Sequence, residues 1–184
     1  TWDDPIVMGG GPCTYNPEPI ADFFDIFYIG EGETRHREIL DLYLECKEQG
    51  LSRVEFLRKA ACIPGMYVPM FYQVEYHEDG TIKEFGPIYE ELPKKIKKEM
   101  VLDVSNTYYP LKPVVPFIKV TQDRVVLEIQ RGCIRGCRFC QAGQLYRPVR
   151  ERDVETLKKY AVEMLKNTGH EEVSLSSLSS SDYS

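Results

Sequence analysis

Three cysteines fall within eight positions of this 184-residue chain, in the stretch RGCIRGCRFC, and no other feature constrains its structure as strongly. The spacing is Cys133-x3-Cys137-x2-Cys140, short enough for one loop to turn three sulfurs towards a common centre. Gly132 and Gly136 remove side chains beside two of the cysteines, so backbone N–H groups can approach that centre. Arg131, Arg135 and Arg138 place positive charge around it, which favours thiolates, although each also reads as an ordinary surface residue. Thiols clustered in this way, in a chain with no export signal, point to a metal or redox site rather than to disulfides. Cys13, Cys46 and Cys62 are scattered, and Cys46 lies on the apolar side of a helical pattern, as a small buried hydrophobe would.

The flanking sequence predicts how the loop is held. RVVLEIQ reads as a strand running straight into it. ERDVETLKKYAVEMLKNTG reads as a helix with Asp153 as N-cap, Val154, Leu157, Ala161, Met164 and Leu165 on one face, and Gly169 as the stop. EEVSLSSL is the next strand. In a parallel α/β arrangement, the order β-loop-α-β puts the loop at the C-terminal ends of the strands, where such folds gather their chemistry.

Further upstream, PIVMGGGP and FDIFYIG read as two short strands, each ending in a glycine loop. Ile39, Leu42, Tyr43 and Cys46 then recur at helical spacing up to Gly50, and Ser52 to Glu55 has the form of a capping box opening a short helix to about residue 61. YVPMFYQVEY, Asp79-Gly80 and TIKEF predict a hairpin. The lysine run PKKIKKEM reads as a solvated helix face, with nucleic-acid contact as the alternative, and Pro110, Pro113 and Pro116 as an extended linker. The pattern predicts an α/β chain with an N-terminal domain over residues 1–50, a connector over 51–120 and a second domain over 121–184.

Composition sets outer limits. A hydrophobic content of 42% permits a core, while a net charge of -6 argues against a general nucleic-acid or membrane coat. No apolar run approaches a membrane span and no signal-peptide pattern opens the chain, so the expectation is a cytoplasmic protein with no membrane partner. A structural zinc site needs four ligands, and a ferredoxin-type cluster needs a fourth cysteine. His170 and Cys62 are distant in sequence, so a three-cysteine set leaves one coordination position open unless folding brings one of them in.

With Phe139 just before its last cysteine, the motif resembles the signature of the radical S-adenosylmethionine (SAM) superfamily. The wider text EIQRGCIRGCRFCQAGQLYRPVRER, with VMGGGPCTYNPEPIADFFDIFYIGEGE, resembles more closely a family of uncharacterised radical SAM proteins with an N-terminal cobalamin-binding-type domain. The resemblance implies the C-terminal part of a Rossmann-like cobalamin-binding-type domain followed by the start of a partial (β/α) TIM barrel. It implies a 4Fe-4S cluster on Cys133, Cys137 and Cys140, whose open iron is chelated by SAM. An electron donor such as ferredoxin or flavodoxin would trigger formation of a 5'-deoxyadenosyl radical, on a substrate the sequence does not define.

By the same resemblance Phe139 lies near the adenine of SAM, the alternative being a packed loop aromatic. The superfamily's Gly-Gly-Glu-like stretch is replaced by SLSSLSSSDYS, in which Ser176, Ser177, Ser179, Ser180 and Asp182 offer polar ligands for SAM or simply end a strand. Gly9, Gly10, Gly11, Gly30 and Gly32 would line a cobalamin tail. None of His36, His77 or His170 lies in the Asp-x-His-x-x-Gly pattern of a lower axial ligand, so cobalamin rests on resemblance alone. LYRPVRER is comparable to the arginine-rich segment of tRNA methylthiotransferases, which makes RNA modification the alternative function, beside a non-catalytic iron-sulfur or zinc-binding module. A radical SAM barrel repeats its β/α unit several times, so the reading also expects a segment of a larger protein that does not turn over SAM efficiently alone.

Overall fold

The computed structural model describes residues 4–184, and the chain divides between Met100 and Val101 into two units, each with its own core. The expected boundaries near residues 50 and 120 fall inside these units.

In the first unit, β1 (Met8–Gly9) runs parallel to β2 (Ile26–Tyr28), with Met8 opposite Ile26. The proline-punctuated stretch between them forms two 3-10 turns, Pro12–Tyr15 and Glu18–Phe23. α1 (His36–Glu48) buries Ile39 and Cys46, and Leu42 and Tyr43, the other two residues its apolar period selects, pack half-buried against the same core. α2 (Arg53–Ala60) starts at the expected capping box. The Ser52 hydroxyl accepts from the Glu55 N–H, and the Glu55 carboxylate accepts from the Ser52 N–H at 2.8 Å. β3 (Met66–Tyr67) closes a three-stranded mixed sheet, antiparallel to β2. Phe56, Leu57, Met66, Phe71 and Leu92 pack in one core with Ile26, Tyr28 and Ile39, so residues beyond position 50 help to build this unit. β4 (Tyr72–Tyr76) and β5 (Ile82–Pro87) form the expected hairpin, with an irregularity at Glu75/Tyr76.

The lysine run corrects an expectation, for residues 93–100 form no helix. Its apolar residues are Ile96 and Met100 beside four lysines, a narrow face for a helix to bury. The backbone at Glu99 instead bridges to the first sheet's edge. Its N–H donates to Ile29 O at 3.0 Å, and its carbonyl accepts from the Glu31 N–H at 3.0 Å.

The second unit holds β6 (Val125–Glu128), β7 (Gln130–Arg131), the one-turn α3 (Ala142–Leu145), β8 (Arg150–Glu151), α4 (Val154–Thr168) and β9 (Val173–Ser176). β6 and β9 are parallel, with Val125 opposite Val173 and Glu128 opposite Ser176. α4 is the crossover between them. Asp153 caps it by accepting the Thr156 N–H at 2.8 Å, and Gly169 ends it at φ 76°. Val125, Leu127 and Ile129 alternate along the strand and pack in a common core with Leu157 and Met164 of α4. Each of the larger side chains among them contributes about 1.5–3 kcal/mol of burial. The β-loop-α-β order expected around the cysteines is therefore present.

The architecture is mixed α/β with small sheets, and among the described residues no set of strands closes a barrel. No helix among them is long and apolar enough to cross a membrane.

Candidate metal centre

The cysteine loop leaves the C-terminal end of the β6–β7 run, and its stem is fixed before the first cysteine. Gly132 sits at φ 85°, where a Cβ would lie 2.7 Å from the carbonyl oxygens of both Tyr146 and Pro148, so only glycine fits. Those two carbonyls accept from the buried Arg150 guanidinium, at 3.1 Å and 3.0 Å, and its third contact is to Val101 O at 2.7 Å. Gln130–Arg131 pairs antiparallel with Arg150–Glu151, which places this arginine beside the loop stem.

Beyond Gly132 the loop is open. Cys133 and Cys140 are half-buried, Cys137 is exposed, and all three are free thiols. The Arg135 N–H points at Cys133 Sγ from 3.4 Å, and the Cys140 N–H donates to Cys137 O at 3.1 Å. Among the described residues, no three His, Cys, Asp or Glu side chains are gathered closely enough to hold a metal ion. The three sulfurs share a loop without meeting in one coordination sphere. Their chemistry nonetheless suits iron and sulfide: three soft donors, one already facing a backbone N–H, on a segment whose remaining backbone is only lightly bonded. With the stem fixed, residues 133–140 alone have to close for the sulfurs to converge. Phe139 is 92% exposed and is not a packing residue of the loop.

The serine-rich segment comes to this loop through one residue. β9 ends where the Ile129 N–H donates to Ser176 O at 3.0 Å. The Ser177 and Ser180 hydroxyls bond each other at 3.0 Å, and Ser177 Oγ also accepts from the Ser179 N–H at 3.2 Å. Ser179 Oγ donates to Asp182 Oδ2 at 2.7 Å. Asp182 in turn receives both arms of the Arg135 guanidinium, Nε at 2.9 Å and Nη2 closer still. Arg135 first, and Ser179 after it, hold the Asp182 carboxyl below the usual aspartate range, against an opposing desolvation effect. The segment then ties down beyond the loop, with Tyr183 Oη donating to Arg152 O at 2.6 Å and Ser184 Oγ to Glu151 at 2.6 Å. Of the polar candidates, Asp182 and Ser179 thus reach the cysteine loop by way of Arg135, while Ser177 and Ser180 bond to each other.

Gly9, Gly30 and Gly32 among the glycine candidates of the first unit have packing explanations. A Cβ at Gly9 would lie 2.8 Å from the Phe27 ring, Gly30 at φ 148° lies against the Glu99 backbone, and Gly32 lies against the His36 ring. Gly10 has open space around it.

Two arginines of LYRPVRER have roles that sequence reasoning missed. Arg152, 1% exposed, donates to Glu128 O at 3.2 Å, to Val104 O, and to the Glu128 carboxylate at 3.3 Å, and lies 4.8 Å from the Tyr109 ring centre. Arg150 and Arg152 both face the interior while Glu151 between them faces outward, a two-residue alternation that is visible in the sequence. Their charges are committed inside the unit, while Arg147 of the same run is exposed.

Comparison with known proteins lends support at the level of a superfamily. Residues 1–69 match the model of a family described as radical SAM proteins, N-terminal, which supports the radical SAM superfamily. Over 179 residues, 97% of its length, the chain is 30% identical to an uncharacterized protein of Methanocaldococcus jannaschii, and it spans 32% of that protein. The superfamily implies a 4Fe-4S cluster and SAM in general. Neither match supports a cobalamin-binding-type domain.

Proposed function

We propose that this chain supplies the cluster-binding part of a radical SAM enzyme, with Cys133, Cys137 and Cys140 as the three protein ligands of a 4Fe-4S cluster. The observation that carries the proposal is the placement of the loop. It leaves the C-terminal end of a parallel strand in a β-loop-α-β unit, on a stem held by Gly132 and Arg150. Residues 121–184 are then the first unit of a (β/α) barrel, and a ferredoxin or flavodoxin is the class of partner that reduces the centre. A cluster held by these three cysteines would supply the single electron for reductive cleavage of SAM.

The chain's own residues bind and orient. Three thiolates fill three coordination positions and leave one free of protein. The Arg135 N–H and guanidinium place positive charge against an anionic centre, and Asp182 with Ser179 holds that arginine in place. Ser177, Ser179, Ser180 and Asp182 remain the polar candidates for SAM, and exposed Phe139 is free to cover the adenine.

Anaerobic reconstitution of single alanine variants tests this reading. Cys133→Ala, Cys137→Ala and Cys140→Ala are expected to lose cluster absorbance and iron, and Cys13→Ala, Cys46→Ala and Cys62→Ala to keep them. SAM should change the electron paramagnetic resonance signal of the reduced wild-type centre, because only an open iron takes it as a ligand. Equal loss on replacing Cys62 would mean a closed four-ligand site and other chemistry. For residues 1–50 the cobalamin-type reading rests on resemblance alone. Absorbance titration of the full-length protein with hydroxocobalamin tests it, and absence of binding reduces the region to a structural α/β domain.

A further inference from the structure

Gln130, three residues before the first loop cysteine, is 3% exposed, and neither its side-chain oxygen nor its nitrogen has a hydrogen-bond partner among the described residues. An interior carboxamide with nothing to bond is costly, so a native chain that keeps one points to a partner arriving from elsewhere. Its position narrows the partner. Val125, Leu127 and Ile129 turn towards the core shared with α4, and the strand alternation turns Gln130 to the opposite face, at the C-terminal end where the cysteine loop departs.

Nearby main chain is already committed. Gln130 and Arg131 pair with β8, the Ile129 N–H is bonded to Ser176 and the Ile129 carbonyl to the Arg152 N–H, and Gly132 is wedged against carbonyls that Arg150 occupies. Closing residues 133–140 around a metal therefore leaves this stem where it is. The serine-rich segment passes from Ser176, on one flank of the strand, to Ser184, bonded to Glu151 on the other, so Gln130 lies between the two ends of the segment that carries Asp182.

We propose that the Gln130 carboxamide is a binding residue for SAM, offering a donor and an acceptor in one plane to a ligand edge that carries both. This rests on the radical SAM reading above. Two parts of SAM have that chemistry, the adenine edge and the methionyl ammonium-carboxylate pair, and a glutamine matches either.

The test is Gln130→Met, which keeps length and approximate volume while removing both polar atoms. It is made in the full-length protein and read by thermal unfolding of the cluster-free form and by anaerobic equilibrium dialysis of the reconstituted form. The variant is expected to melt at or above the wild-type temperature, because no internal bond is lost. It should also bind SAM about tenfold more weakly at unchanged iron content, a loss consistent with one ligand hydrogen-bond pair. Dialysis with 5'-deoxyadenosine and with methionine assigns the contact, since the fragment whose binding weakens carries the matching edge. A lower melting temperature would show that the amide already has a partner within the chain, and it overturns the proposal. Unchanged SAM affinity in the variant, with SAM bound by the wild type, overturns it too and leaves the radical SAM reading intact. Failure of the reconstituted wild type to bind SAM at all removes that reading itself, and this inference with it.

Discussion

Arg135 and Asp182, 47 residues apart in sequence, are joined by a two-armed ion pair that ties the middle of the cysteine loop to the turn after β9. The pair is asymmetric, with the Asp182 side chain 8% exposed and the Arg135 side chain 60%. Asp182 is the fixed half, held by Ser179 and the turn, and Arg135 is the half that can move with the loop.

Asp182→Asn removes one charge from this tie and leaves the turn's size unchanged. Amide hydrogen exchange across residues 133–140 is expected to quicken while the melting temperature falls only slightly, since the Arg135 half of the pair is open to water and screened by it. Exchange in that stretch equal to wild type would show that Arg135 does not restrain the loop.

Gly132→Ala meets two obstacles at once, a φ of 85° and two carbonyl oxygens 2.7 Å from the new methyl. The expected cost is about 2–4 kcal/mol in urea unfolding. Any folded fraction should reconstitute less iron, because the loop would start from a displaced stem. Full stability would mean that the 146–148 backbone gives way easily.

Arg152→Ala leaves the Val104 and Glu128 carbonyls without their guanidinium donor and opens space beside Tyr109, while the Glu128 carboxylate keeps its two bonds from Arg131. A loss of about 1–3 kcal/mol is expected, as for buried carbonyl acceptors left without their donor. Arg152→Lys should recover only part of it, because an ammonium cannot reach three separated acceptors in the fork geometry of arginine. Chemical denaturation of both variants measures the difference.

Asp153 gives a pH dependence whose sign is fixed. The Thr156 side-chain and backbone bonds, and Ser105 after them, hold its carboxyl below the ordinary aspartate value. A depressed folded-state value means that the cap's contribution is complete above the unfolded-state value and is lost as pH falls through the folded one. Wild type should therefore exceed Asp153→Ala in stability at neutral pH, and the gap should narrow in acid. A gap independent of pH down to pH 2 would show that the charge plays no part in the cap.

What was legible in the sequence was what local chemistry dictates. Ser52 with Glu55, Asp153 with Gly169, and the Asp79-Gly80 hairpin all appear as expected, because caps and tight turns are decided by a few adjacent residues. β7, β8 and α3 escaped because two to four residues carry no measurable period. The lysine run misled because a solvated helix still needs a dry face, and Ile96 with Met100 makes only a narrow one. At the candidate site, the spacing of Cys133, Cys137 and Cys140 could be read directly. The inward turn of Arg152 and the unmet amide of Gln130 could not, because arginine and glutamine usually face water and only tertiary packing reverses that.

Cys46 has a practical consequence. It is fully enclosed in the first core, whereas Cys13, Cys62 and Cys137 are exposed and Cys133 and Cys140 half-open. A thiol reagent applied to the native, iron-free chain should consume five equivalents quickly and the sixth only as the first unit opens. That delayed equivalent is a built-in clock for unfolding of residues 4–100, readable without any label and separate from events at the cysteine loop.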